Sequence, residues 1–104
     1  TVGTLAECGC VREAGLLINA TSIGMQPDAG HSPVADPECL HADLVVLDIV
    51  YRPLSTLLLQ QAKEAGARTV DGLGMLVHQG ARALELWTGK QAPVDVMRQA
   101  ITPN

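Results

Sequence analysis

Three short stretches of this 104-residue chain carry side chains that could do chemistry, and each closes an apolar or β-branched run. Asn19-Ala20-Thr21-Ser22 offers an amide and two hydroxyls. Asp48-Ile49-Val50-Tyr51 offers a carboxylate and a phenol. Asp71-Gly72-Leu73-Gly74-Met75 offers a carboxylate and two glycines, ahead of a helical run that holds Gln79. Small hydroxyls, a phenol and apolar Ile49 and Met75 suit a flat ring with a few polar handles. No nucleophile stands beside an evident base. The glycine stretch is not the dinucleotide fingerprint either: after Gly72-x-Gly74 the third glycine would fall at position 77, which is Val77.

Each residue also has a plainer reading. Asn19 to Ser22 is an ordinary turn composition. Asp48 can hydrogen-bond neighbouring amides, Asp71 can cap a helix, and Gln79 can face solvent. His41 and His78 read as surface residues without a partner, and Met25, Met75 and Met97 as core filler.

The elements that position these groups follow from pattern. Residues 16–21 read as a buried strand ending in a loop, and 25–35, with two prolines, as an irregular excursion. Asp36-Pro37-Glu38 signals a helix start of one or two turns. The aliphatic run 44–51 lacks alternation, so both its faces should be covered, as in a parallel sheet. Ser55 or Thr56 caps a helix through Leu57, Leu58, Gln61 and Ala62, which Gly66 stops. Residues 68–71 form a third strand. From Leu73 the positions Leu76, Val77, Ala81, Leu84 and Trp87 keep helical spacing, with Gly80 on the same side for close backbone packing. Thr88-Gly89 ends that helix, and Ala92-Pro93-Val94-Asp95 opens a last one carrying Val96, Met97, Ala100 and Ile101. Strands separated by helices imply right-handed crossovers, so the fold class is α/β, a partial Rossmann-like three-layer α/β/α with about three parallel strands and flanking helices. The first strand would be an open edge, so a missing neighbour is expected: the rest of a sheet or a partner chain.

Composition excludes several classes. Eleven acidic against seven basic residues give a net charge of −4, which leaves no footprint for nucleic acid. No apolar run approaches the roughly 20 residues of a membrane span. Trp87 and Tyr51 are the only aromatics, so the core must be aliphatic. Three cysteines, an odd number, argue against a closed disulfide framework and for three free thiols in a reducing, cytoplasmic setting. Cys8, Cys10, Cys39 and His41 could in principle bind zinc, but each pair is separated by one residue where structural ligands are usually two to four apart; no metal is expected. The chain opens on Thr1 without a basic start or a signal core, and is expected to be a piece of something longer.

Taken in order, the motifs resemble the C-terminal part of the shikimate dehydrogenase family. The resemblance rests on Asn19-Ala20-Thr21-Ser22-Ile23-Gly24-Met25, on Asp48-x-x-Tyr51-x-Pro53 with Thr56-Leu57-Leu58, on Asp71-Gly72-Leu73-Gly74-Met75-Leu76-x-x-Gln79, and on Glu85-Leu86-Trp87-Thr88-Gly89. It covers nearly residues 16 to 97. It implies a share in the NADPH-dependent reduction of 3-dehydroshikimate to shikimate, on the pathway through chorismate to aromatic amino acids. Ala20, Thr21 and Ser22 then correspond to a loop beside the NADP cofactor, Ile49 to an apolar residue near the nicotinamide, Gly72 to a glycine whose backbone meets the carboxamide, and Met75 to a side chain against the same ring. Tyr51 and Gln79 correspond to residues that hydrogen-bond the substrate.

The departures are as telling. The family's catalytic Lys and Asp belong to an N-terminal substrate domain with no counterpart here, and its phosphate-binding glycine loop is also absent. Residues 1–104 are therefore expected to form the C-terminal portion of a dinucleotide-binding domain, inactive alone, whose partners are the small-molecule substrate and the missing N-terminal part or a second copy in a homo-oligomer. Arg52 stands where relatives commonly carry Asn, and Leu84 where they often carry Phe. The competing expectation is a non-catalytic half-Rossmann module that assembles through its open sheet edge.

Overall fold

The computed structural model describes residues 9–34 and 36–102. Three parallel strands form one sheet in the order β1 (Leu16–Asn19), β2 (Val45–Asp48), β3 (Arg68–Val70). Val46 in the middle strand pairs with Leu17 on one side and Thr69 on the other, and Asn19 comes level with Asp48. Around the sheet lie α1 (Gly9–Glu13), α2 (Leu57–Glu64), α3 (Leu73–Thr88) and α4 (Val94–Ile101), with a 3-10 turn at Pro37–Cys39. The order of strands and major helices is the one the spacing predicts; α1 is an addition.

Local chemistry sets the boundaries. β1 stops at Asn19 rather than running to Thr21, because the Asn19 amide oxygen takes the Thr21 N–H (3.0 Å) and hydroxyl (2.6 Å). Such local bonds compete with a strand ladder. Of the two candidate caps for α2, Thr56 fills the position: its Oγ1 accepts the Leu59 N–H at 3.3 Å. Asp36 accepts from the Glu38 N–H and starts only the 3-10 turn. At the far end of α3, Gly89 has φ +68°, the left-handed conformation that closes a helix with least strain in glycine.

One face of the sheet carries the core. Leu40, Leu44, Val46, Leu58, Leu59 and Ala62 are buried together, with Val11, Ala14, Leu17 and Val34 packed around them. Alternation along β2 sends Val46 into that core and leaves Val45 and Leu47 half-buried on the other face. There Leu16, Ile18 and Val70 remain 57%, 49% and 50% exposed. The cover expected on both faces is complete on one. The reason is topological: α2 packs on β2 and β3, whereas α3 packs chiefly on α4. The radius of gyration, 15.6 Å, accordingly exceeds the roughly 13 Å of a compact chain this long.

Other expectations shift with this arrangement. Val77 and Ala81 are the buried side of α3, while Trp87 is 82% exposed and lies outside any core. Gly80 faces the Met97 side chain, not another backbone. Met25 and Met75 are exposed rather than filling the core. His41 is half-buried, its Nε2 3.1 Å from the Ala14 carbonyl, so it ties the end of α1 to the segment before β2. Cys39 is buried and disulfide-bonded, and Cys10 is a free, exposed thiol. An odd count excludes full pairing but not a single bridge, so the expectation of three free thiols fails. Cys8, one of the four candidate zinc ligands, lies outside the described residues. No described helix is long and apolar enough to cross a membrane.

Candidate functional site

Parallel strands joined by crossovers bring their carboxyl ends to one edge, where open α/β sheets bind ligands. At that edge Asp48 is fully buried and every bond it accepts is local in space. Its Oδ1 takes the Asn19 side-chain amide (3.0 Å) and the Val50 N–H (3.0 Å); its Oδ2 takes the Thr56 hydroxyl (2.8 Å). Asn19 also donates to the Ile23 carbonyl at 3.1 Å. One carboxylate thus joins the loop after β1, the loop after β2 and the start of α2. The plain reading of Asp48 as a partner for nearby amides captures only the Val50 bond. The pairing across 29 residues with Asn19 emerges only from the strand register.

The two loops above this hub enclose a cleft of ≈ 550 Å³ lined by Ala20, Thr21, Ser22, Met25, Ile49 and Tyr51 among others. Thr21 is oriented twice over, donating to Asn19 and accepting the Ile23 N–H at 3.2 Å. The loops are tied directly where the Gln26 N–H donates to the Arg52 carbonyl at 2.9 Å. Apolar walls from Ile49, Val50 and Met25 with hydroxyls on one side form a slot for a flat, partly polar ring.

Gly72 lies beneath this cleft and not on its wall. It is buried, and a Cβ there would stand 2.5 Å from the Ile49 carbonyl oxygen and 3.0 Å from that of Val50. Only glycine lets the start of α3 lie this close to the end of β2. Asp71 takes the Leu73 N–H at 3.1 Å and the Gly72 carbonyl takes that of Leu76, so both serve the helix start. The N-cap itself is Gly72, without a side-chain cap bond, so Asp71 supports the helix start from one residue ahead and is not its cap.

A second cleft, ≈ 370 Å³, lies between the β2–α2 loop and the last two helices; Tyr51, Arg52, Leu73, Leu76 and Ile101 line it. Tyr51, 44% exposed, is common to both clefts. Met75 and Gln79, four residues apart, share one face of α3. Both are exposed; neither lines the two clefts, and the Gln79 amide donates to its own helix at the Leu76 carbonyl (3.0 Å). The structure therefore gathers Ala20, Thr21, Ser22, Ile49 and Tyr51 around one space, sets Gly72 under it, and leaves Met75 and Gln79 on the adjoining helix.

Comparison with known proteins follows the same outline. Residues 72–102 match the family model described as the Shikimate 5'-dehydrogenase C-terminal domain. A shikimate dehydrogenase (NADP(+)) of Symbiobacterium thermophilum is 56% identical over 88 residues, which are 85% of this chain and 30% of that protein. Over most of its length the chain is similar to shikimate dehydrogenases. A solved shikimate dehydrogenase in complex with NADP+ superposes with a TM-score of 0.80 at 46% identity, over 85% of this chain and 31% of the other. Quinate dehydrogenase from Corynebacterium glutamicum, in complex with NAD, gives 0.79 at 37% identity, over 88% and 32%. The chain thus spans about a third of the length of these relatives. Likeness to a shikimate and a quinate dehydrogenase alike means that this third carries the frame common to both.

Proposed function

We propose that this chain supplies the nicotinamide-side wall and part of the substrate-contact surface of an NADP-dependent shikimate dehydrogenase. The observation that carries this reading is the convergence of Thr21, Ser22, Ile49 and Tyr51 on one cleft, braced from below by Asp48 and Gly72. Kinship with proteins named for NADP(+) supports the choice of cofactor. The cleft fits it as well: ≈ 550 Å³ accommodates a nicotinamide with its ribose, and apolar walls with paired hydroxyls suit a ring bearing one amide.

When bound, NADPH supplies the hydride. The chain's own residues do the positioning, which is the protein's chief contribution to such a transfer. Ile49 and Met25 keep water from one side of the ring. Thr21 presents a hydroxyl held by Asn19 and Ser22 a second one beside it; the Gly72 backbone would meet the ring's carboxamide, and Met75 would lie against the ring from the adjoining helix. Tyr51 and Gln79 offer hydrogen bonds to substrate hydroxyls; for Gln79 this means exchanging its bond to Leu76. Residues 1–104 then form the C-terminal portion of the cofactor domain, and the groups that move the proton in carbonyl reduction would come from a substrate domain outside them.

The test is oxidation of NADPH by dehydroshikimate. The isolated chain is expected to show none, and to gain turnover when the N-terminal part of a shikimate dehydrogenase is added in trans. Turnover by the chain alone would sink the claim that essential groups lie elsewhere. The second reading, a non-catalytic half-Rossmann module that assembles through its open sheet edge, is favoured by β1 having a neighbouring strand on one side only among the described residues; a strictly monomeric mass in solution argues against it.

A further inference from the structure

The loop after β2 carries one side chain the proposed function leaves without a task. Arg52 lines both clefts, with Tyr51, and among the described residues that line them it is the sole charged one. In a chain of net charge −4 this is not the overflow of a basic surface. The nearby acids are already engaged: Asp48 is fully buried and accepts from three donors, and Asp71 takes the Leu73 N–H. The one ion pair among the described residues joins Arg82 to Glu85, at 4.0 Å on α3. No carboxylate among the described residues holds the Arg52 guanidinium, and its backbone is fixed by the Gln26 N–H on its carbonyl. An exposed cation on a fixed backbone, between two partly apolar clefts, is placed to receive an oxyanion through charge-assisted bonds.

We infer that Arg52 takes an oxyanion of the bound ligand, a carboxylate or a phosphate, and so sets the preference of this site for acids over neutral analogues. The inference rests on the reading of the cleft as a nicotinamide–substrate site and adds the charge of what enters it. Shikimate brings a carboxylate; the nicotinamide half of the cofactor brings a phosphate.

Amide NMR titrations of the full 104-residue chain separate these sources. The probes are shikimate against its methyl ester, and nicotinamide mononucleotide against nicotinamide riboside. Shikimate is expected to shift the amides of Tyr51, Arg52 and Leu73 and to bind about three- to tenfold more tightly than the ester, the range spanned by exposed and charge-assisted pairs. Arg52→Gln should erase that difference while Arg52→Lys retains part of it; both changes are at an exposed position, and an unchanged amide spectrum elsewhere certifies the fold. If instead Arg52→Gln erases a preference for the mononucleotide over the riboside, the oxyanion is the cofactor's phosphate and the inference stands with that source. Equal binding of acid and neutral forms in both pairs overturns it, as does absence of binding by both acids. The proposed function fails separately, if neither nicotinamide probe moves the amides of residues 20–22 and 49.

Discussion

The two ends of β1 and β2 face different physical problems. At their carboxyl ends Asn19 and Asp48 are polar, nearly or fully buried, and bonded to one another, to Thr56 and to three loop residues. One residue earlier, Ile18 is apolar and half-exposed, and Leu47 opposite it is only half-buried. The usual distribution of polar and apolar groups is inverted within two residues. A buried polar group is stable only with its partners complete, whereas an exposed apolar one costs little by itself. The carboxyl end is thus a finished piece of structure and the outer sheet face an unfinished one. Substitutions can break that contrast or sharpen it.

The largest effect is expected for Asp48→Ala. It leaves the Asn19 amide, the Thr56 hydroxyl and the Val50 N–H without their acceptor in a buried place. At roughly 1–3 kcal/mol for each stranded group, partly relieved by local rearrangement, the loss should be about 3–4 kcal/mol in urea denaturation. A loss below about 1 kcal/mol would mean that the network contributes little and that the finished end is held by apolar packing instead.

Gly72→Ala comes next. Its Cβ meets backbone at 2.5 Å, so α3 must move away from the end of β2. Overpacking of this kind costs about 1–3 kcal/mol, and here it should also widen the cleft beside Ile49. A crystal structure or amide shifts around Ile49 and Thr21 would report the displacement; an unchanged pattern with full stability would show that the contact is not rigid. Thr56→Val should be milder, about 1–2 kcal/mol, since it removes the α2 cap and one of the bonds to Asp48 but keeps the volume.

The same contrast explains what could be read from residue order. Strand and helix order followed from aliphatic runs, caps and glycine stops, because these are local signals; Thr56, Gly66 and Gly89 act where spacing places them. The grouping of Ala20, Thr21, Ser22, Ile49 and Tyr51 followed from parallel topology alone. What stayed hidden depends on contacts between distant residues. Asn19 and Asp48 form a pair only because β1 and β2 align them, and the reason for glycine at 72 is the distant backbone of Ile49 and Val50. Cover of the outer face is misjudged for the run 44–51, where Val45 and Leu47 are only half-buried, and for β1, because aliphatic strands look alike whether their second face is packed in the same chain or left for another. The position of Trp87 shows the same limit, since helical spacing identifies a face and not what lies against it.

The smallest expected effect is the most informative about that outer face. Ile18→Thr keeps a β-branched side chain in the strand and removes an apolar group that is 49% exposed. If the face is open in solution, the change should alter stability by no more than about 0.5 kcal/mol, the ordinary range of surface substitutions. A loss of about 1.5 kcal/mol or more would instead require Ile18 to be fully buried, and nothing on the described outer face buries it. The loss should then depend on protein concentration, because a second copy would be the cover and dilution would remove it. Concentration-independent behaviour with a near-zero effect would instead show that the outer face of β1 has no cover from a second copy in solution.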